Sequence, residues 1–279
     1  MRLAAIIFLC LATLSQAQVP DNMVQWRLMA ASRQVTVSGG TVDVGSPYAY
    51  WPMTATGTNT TRILDFASTN NLLNSPNVAT GPTLTSTNGY FYTMDGVNDS
   101  FIDTATNSVF SARQGTNDAP FAVSVWVYRT GYEDMILGKD NGTAGNREWY
   151  AYINADATVS FGICSQGVIG NRIGKVTTTG IPVSRWQNLI FEYDGSKTEA
   201  GINIWTNGVA APVATFSAGS YVIATNGPAR FVVGGRDGTA LLAGAIDEVV
   251  FFTNTLTSVQ KTNRYNKGRT SGDSLPTPP

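Results

Sequence analysis

The 279-residue chain contains no histidine. That absence excludes Ser-His-Asp and Cys-His nucleophilic catalysis, and with them every zinc site that needs imidazole. Cysteine is almost as scarce, with Cys10 and Cys164 alone. Charged residues make up 13% of the chain, the formal net charge is −1 and the pI is about 5.4. No run of Lys or Arg stands out, so nucleic acid and anionic membrane surfaces, which need a concentrated basic patch, are poor partners.

Long apolar runs are also missing beyond the first residues. Residues 1–17, MRLAAIIFLCLATLSQA, carry a basic Arg2, an apolar run from Leu3 to Leu14 and a small-residue end, Ser15-Gln16-Ala17. This is the pattern of a secretory leader cut after Ala17, and it is too short to span a bilayer, which takes roughly 20 apolar residues. The expectation is an exported protein, secreted or held at a cell surface, without membrane insertion. Loss of the leader leaves Cys164 alone, so no internal disulfide can form and stability must come from a packed core. About 260 residues suffice for one large β domain.

What the chain has is alternation. In FAVSVWVY, Phe121, Val123, Val125 and Val127 fall on one face and Ala122, Ser124, Trp126 and Tyr128 on the other, a period of two that predicts a strand. EWYAYIN, TVSFGI and WQNLIFEYD repeat the pattern. Turn signals follow at Asp140-Asn141-Gly142, Asn154-Ala155-Asp156, Asp194-Gly195, Asn207-Gly208 and Asp237-Gly238. Such spacing predicts an all-β, antiparallel two-sheet sandwich or jelly roll. Residues 18–46 form a lead-in, with QVTVSGGTVDV readable as a hairpin around Gly39-Gly40. LTSVQKTNRYNKG reads as one short C-terminal helix, capped by Thr257 or Ser258, with Val259 and Tyr265 toward the body and Gly268 at its end. Residues 269–279 are polar and Pro-rich, which predicts a disordered tail.

Three sets of residues are candidates for chemistry. Asp95, Asp99 and Asp103 surround Asn98 in YTMDGVNDSFIDT. The segment Asp95-Gly96-Val97-Asn98-Asp99 reads as a five-residue hairpin connection whose Asx side chains cap backbone amides. The alternative to that turn reading is part of a calcium site, because a turn offers carboxylates and carbonyls to a hard cation that takes six to eight oxygens. The second set is aromatic: Trp126 and Tyr128 share one strand face, as do Tyr150 and Tyr152, and neighbouring strands would join them into a platform for a sugar. Asn188, with Gln187 and Asn203, would supply hydrogen bonds to hydroxyls. The third is acidic. Glycoside hydrolysis needs two carboxyl groups roughly 5 to 9.5 Å apart, and the nineteen acids offer only adjacent pairs such as Asp247-Glu248, together with Glu192-x-Asp194. Adjacent strand residues point to opposite faces, so the expectation from spacing is no catalysis. One of Asp247 and Glu248 must also lie on an apolar face, where an arginine such as Arg230 or Arg236 would pair with it.

The order YAYWPM, Asp65, MDGVNDSFID, FAVSVWVY, ILGKDNG, RWQNLIFEYDG, INIWTNG, VVGGRDG and GAIDEVVFFTNTLTSVQ resembles the laminin-G-like, concanavalin A-like lectin jelly-roll superfamily in its stand-alone secreted form. The resemblance runs over residues 47–268. It departs where Ser100 stands for a usual aromatic and where Gln187-Asn188 follow the Trp in place of frequent histidines. It implies a recognition module for a glycan or glycoprotein, with Asp247 on the last strand completing a calcium set with Asp95 and Asp99. A structural or adhesive component, free to self-associate, and a hydrolase of the same fold are the other readings.

Overall fold

A computed structural model of the chain describes residues 34–37, 40–52, 62–63, 65, 67, 72–74, 82–85, 91–103, 108–236 and 238–270. The leader over 1–17, most of the lead-in and the end of the expected tail lie outside the described residues. The lead-in hairpin is present as β1 (Gln34–Val37) and β2 (Gly40–Asp43), paired antiparallel with Val37 opposite Gly40. Then come β3 (Ala49–Trp51), β4 (Arg62–Ile63), β5 (Leu72–Asn74), β6 (Thr83–Thr85), β7 (Phe91–Asp95) and β8 (Phe101–Asp103). A small hairpin, β9 (Arg113–Gln114) with β10 (Asn117–Asp118), precedes the long strands. Those are β11 (Phe121–Arg129), β12 (Asp134–Asp140), β13 (Arg147–Ile153), β14 (Val159–Cys164), β15 (Arg172–Thr177) and β16 (Trp186–Tyr193). The chain ends through β17 (Ile202–Thr206), β18 (Val209–Ala210), β19 (Val213–Ala218), β20 (Val232–Val233), β21 (Ala243–Phe252) and the helix α1 (Ser258–Thr270).

Two antiparallel sheets face each other. The first runs β18-β17-β16-β11-β21-β7-β6, with β3 also on β21, and the second runs β19-β15-β14-β13-β12-β20-β8-β5-β4. Their inner faces hold the alternating residues that the pattern predicts: Phe121, Val123, Val125 and Val127 from β11, and Trp149, Ala151 and Ile153 from β13. An aromatic seam fills the space between. Phe121 stacks on Phe251 at 5.6 Å, Trp51 and Phe110 flank Phe231 at 5.4 and 5.0 Å, and the Trp149 indole donates to the Phe110 carbonyl at 2.7 Å. Each such ring removes a large apolar area from water, and the indole N–H keeps a partner.

The helix covers the outer face of the first sheet. Thr257 is its N-cap: the Gln260 amide donates to Thr257 Oγ1 at 3.2 Å and the Thr257 amide donates to Gln260 Oε1 at 2.8 Å, a reciprocal capping box. Tyr265 stacks over Trp126 at 5.8 Å, Lys261 pairs with Glu192 at 2.5 Å, and Gln260 Nε2 donates to Asp43 Oδ2 at 3.0 Å. Two details of the expected helix are corrected. Val259 is 65% exposed, because the capped first turn aims Gln260 and Lys261 at the body instead. Gly268 lies inside the helix, which continues to Thr270.

The segment Asp95-Gly96-Val97-Asn98-Asp99 joins the two sheets and is not a hairpin connection. β7 pairs with β6 and β21 in the first sheet, whereas β8 pairs with β5 and β20 in the second. The acids serve the corner. Asp95 Oδ1 accepts from the Val97 and Asn98 amides at 2.8 and 3.0 Å, Asp99 Oδ2 accepts from the Asp95 amide at 3.0 Å, and Gly96 takes a φ of 73°. These bonds satisfy amides that leave one ladder before joining the next.

Candidate functional site

The outer face of the second sheet is the place where aromatic and cationic side chains meet in a depression. One row crosses four strands in register: Tyr150 on β13 opposite Gly162 on β14, Gly162 opposite Gly174 on β15, and Gly174 opposite Phe216 on β19. The two glycines leave a trough, and the flanking rings lean into it from either side. A Cβ at Gly162 would lie 2.6 Å from the Tyr150 hydroxyl, and one at Gly174 would lie 2.2 Å from the Phe216 ring. Glycine is needed here for close approach rather than for an unusual φ.

The rows on either side build the walls. Tyr152 faces Ser160, which faces Val176. On the other flank Cys164 faces Arg172, whose guanidinium lies 5.5 Å from the Phe216 ring centre and donates to the Ile169 carbonyl at 2.6 Å. Arg147 and Arg236 complete the rim, and the volume of the open groove is about 390 Å³. That is within the ~300–1,000 Å³ usual for small-molecule sites.

Asp140, fully buried at the end of β12, holds two of the three arginines. Its Oδ2 lies 3.3 Å from Arg147 and 3.2 Å from Arg236, while its Oδ1 accepts from the Gly142 amide at 2.7 Å. Arg147 also donates to the Gly142 carbonyl at 2.7 Å. A buried carboxylate costs free energy unless paired, and here the pairing also fixes the guanidinium planes. Burial raises the Tyr150 hydroxyl well above its ordinary pKa, against the pull of Arg172, so it stays protonated. Burial likewise pushes the Cys164 thiol up to about 12, which makes it an inert wall residue.

The proposed aromatic platform does not assemble. β11 and β13 lie in different sheets, so Trp126 and Tyr128 are on one outer face of the sandwich and Tyr150 and Tyr152 on the other. Trp126 is covered by Tyr265, and Tyr128 packs with Phe91, Ala245 and Trp186. Asn188 is 1% exposed; its amide nitrogen donates to Ser124 Oγ at 3.3 Å, and its backbone amide donates to Asn207 Oδ1 at 2.9 Å. All three are buried, and Trp126 lies beneath the helix. Spacing alone could not tell, because alternation assigns faces and not sheets. Missed by sequence reasoning were Phe216, Arg147, Arg172 and Arg236, although the Gly162 and Gly174 interruptions within strands were a visible signal of close approach.

The three acids of the candidate calcium set are not brought together either. Asp95 faces Ala243 in the β7–β21 ladder, which leaves Asp247 four residues along β21, about 13 Å away at strand rise. Among the described residues no three of Asp, Glu, Cys and His gather closely enough to hold a metal ion.

Asp247 and Glu248 correct a second geometric premise. A bulge in β21 sets Trp126 opposite Asp247 and Ser124 opposite Val250, with Glu248 at a φ of 53° between them. A bulge inserts one residue and breaks the alternation. Both acids consequently lie on the outer face under the helix, where Glu248 Oε1 accepts from the Tyr50 hydroxyl at 2.9 Å. Burial raises Glu248 to about 7, and Arg264 of the helix opposes that rise. Neither Arg230 nor Arg236 is the partner: Arg230 is exposed and Arg236 pairs with Asp140.

The model of a family described as the concanavalin A-like lectin/glucanases superfamily, Laminin_G_3, matches residues 98–260. No curated protein sequence matches the chain. Among solved structures, the Trypanosoma rangeli sialidase in complex with the inhibitor DANA is similar over 90% of this chain and 38% of its own, at 11% identity and a TM-score of 0.58. The same sialidase with 2,3-difluorosialic acid as a covalent intermediate gives 14% identity, 90% and 39% coverage, and a TM-score of 0.57. The binding domain of Paraclostridial Mosquitocidal Protein 1 gives 15% identity, 77% and 51% coverage, and a TM-score of 0.53. The chain thus spans well under two thirds of the length of each. These likenesses establish the jelly-roll fold. They overturn the expectation that the chain is no enzyme, since structures of a glycoside hydrolase are among its neighbours, and the bulge removes the alternation on which that exclusion stood. At such identities the likeness establishes no reaction.

Proposed function

Because the chain belongs to the concanavalin A-like lectin/glucanase superfamily, we propose that it recognises a saccharide in the groove between Tyr150 and Phe216. The observation that carries this reading is the cross-strand row Tyr150, Gly162, Gly174, Phe216, in which the buried Tyr150 ring floors the groove and the partly exposed Phe216 and Tyr152 rings border it. Sugar rings present apolar C–H faces that pack on aromatics and hydroxyls that need hydrogen bonds. The Tyr150 hydroxyl, Ser160 and the arginine rim supply the latter. The residues sit on strands rather than loops, which keeps the geometry fixed before a ligand arrives. An exported protein is the proposed setting, on the leader-like residues 1–17. Among the described residues no helix is long and apolar enough to cross a membrane.

A glycan array probed with the wild-type protein and with Phe216→Ala and Tyr152→Ala tests the reading. Binding to a restricted set of glycans, weakened about tenfold or more by either substitution, is expected, since an aromatic contact contributes roughly that factor. Glycan binding indifferent to both substitutions would move the site elsewhere.

A further inference from the structure

The groove has a charge that sugar recognition alone does not require. Arg147, Arg172 and Arg236 all border it, three of the eighteen basic residues of a chain whose net charge is −1. No carboxylate lines it; Asp140 lies behind the rim and neutralises one of the three cations, while Glu133 and Asp134 stand beyond Tyr152. The three guanidinium groups share one rim, two of them on the same Asp140 oxygen.

Their donors are only partly used. Arg236 forms an ion pair with Asp140, its buried Nε 3.2 Å from Oδ2 without a hydrogen bond, and its two terminal amino groups make no hydrogen bond among the described residues. Arg172 donates one terminal amino group to the Ile169 carbonyl, and its Nε is buried, which leaves the other terminal amino group for a ligand. A guanidinium presents a planar fork that matches a carboxylate or sulfate group with two parallel bonds, and it is less strongly hydrated than an ammonium. Two guanidinium groups border the aromatic floor, one placed by its ion pair with Asp140 and the other by its contact with the Phe216 ring, and their terminal amino groups are the donors available to an anion.

We propose that the ligand of this groove is an anionic saccharide, whose carboxylate or sulfate group is held by Arg172 and Arg236 while a sugar ring packs against Phe216 and Tyr152. The proposal rests on the saccharide reading of the same groove and narrows it to acidic sugars. Arg147 is a positioning residue, tied to Asp140 and the Gly142 carbonyl. Charge-assisted bonds weaken as salt screens the approach, so affinity falls with ionic strength.

The experiment is calorimetric titration of the wild-type protein with three forms of one acidic oligosaccharide: intact, carboxyl-reduced and desulfated. The intact form is expected to bind best. Loss on carboxyl reduction assigns the forks to a uronate or sialate group, and loss on desulfation to a sulfate ester. Arg172→Gln and Arg236→Gln are expected to lose about tenfold to a hundredfold in affinity, and Arg172→Lys to recover part of it. A thermal melt of each variant identifies any that fails to fold, and the wild-type series stands without them. Equal affinity for intact and neutralised forms, with Phe216→Ala still weakening both, would overturn the anionic assignment and leave the saccharide reading standing. Binding of no form at all, or binding that Phe216→Ala leaves unchanged, would overturn both.

Discussion

The tip of the Tyr150 ring lies directly above Gly162, so close that a Cβ on the glycine would stand 2.6 Å from the tyrosine hydroxyl. Only the far end of a side chain blocks that space. Gly162→Ala should therefore tilt the Tyr150 ring out of the trough and keep the fold, with saccharide binding lost and a melting temperature lowered by only a few degrees. Gly138, opposite Tyr150 on its other side, gives the contrast. Its Cβ would meet the Trp149 carbonyl at 2.5 Å, which is backbone, so Gly138→Ala should destabilise by about 1–3 kcal/mol. Thermal melts of both variants beside a binding assay check the pair.

Asp140 holds the rim. Asp140→Asn keeps an acceptor for the Gly142 amide but removes the charge that faces Arg147 and Arg236. A loss of about 1.5–3 kcal/mol is expected, together with weaker ligand binding, because both guanidinium planes lose their anchor. Chemical denaturation measures the first and titration the second.

Stability should fall as pH rises through neutrality. Burial raises Glu148 from 4.5 to about 7, against Lys139 at 3.6 Å and the hydroxyl of Ser111 at 2.6 Å. Burial likewise raises Asp134 from 3.8 to about 6. A carboxyl group with a raised folded pKa holds its proton in the folded state where the unfolded chain has released it. Its contribution is full below about pH 4 and is lost as pH climbs through 6 to 7. For the fully buried Glu148 the loss is about 2–3 kcal/mol. Melting temperatures from pH 4.5 to 8 should decline in the wild type and decline less in Glu148→Gln; equal slopes would contradict the assignment.

The helix rests on its cap and on its contacts with the first sheet. Thr257→Ala removes one half of the reciprocal cap with Gln260 and should cost about 1 kcal/mol. Because Tyr265 covers Trp126, a red shift in tryptophan emission before the main melt would report the helix lifting from the sheet.

Much of the fold was legible in the sequence because strand alternation and turn chemistry are local. Phe121 through Tyr128 show their inner and outer faces in the order of residues, and Thr257 with Gln260 shows the start of a helix. What alternation cannot carry is the sheet to which a strand belongs. Trp126 and Tyr150 look alike in pattern, yet one lies beneath a helix and the other beneath an open groove. Asp95 and Asp99 look like half a hairpin and form a corner between sheets. The bulge at Glu248 defeats alternation outright, since it places two successive acids on one face. Arg172 and Arg236 are 64 residues apart in sequence, and only the order of the second sheet brings them to one rim.

The most direct measurement is an amide NMR titration of the wild-type protein with the best-binding acidic oligosaccharide. Shifts confined to β13, β14, β15, β19 and the Arg236 turn are predicted, with saturation at a single site and disappearance in Phe216→Ala. Shifts centred on the helix-covered sheet or on the 95–99 corner, with the groove silent, would contradict the account.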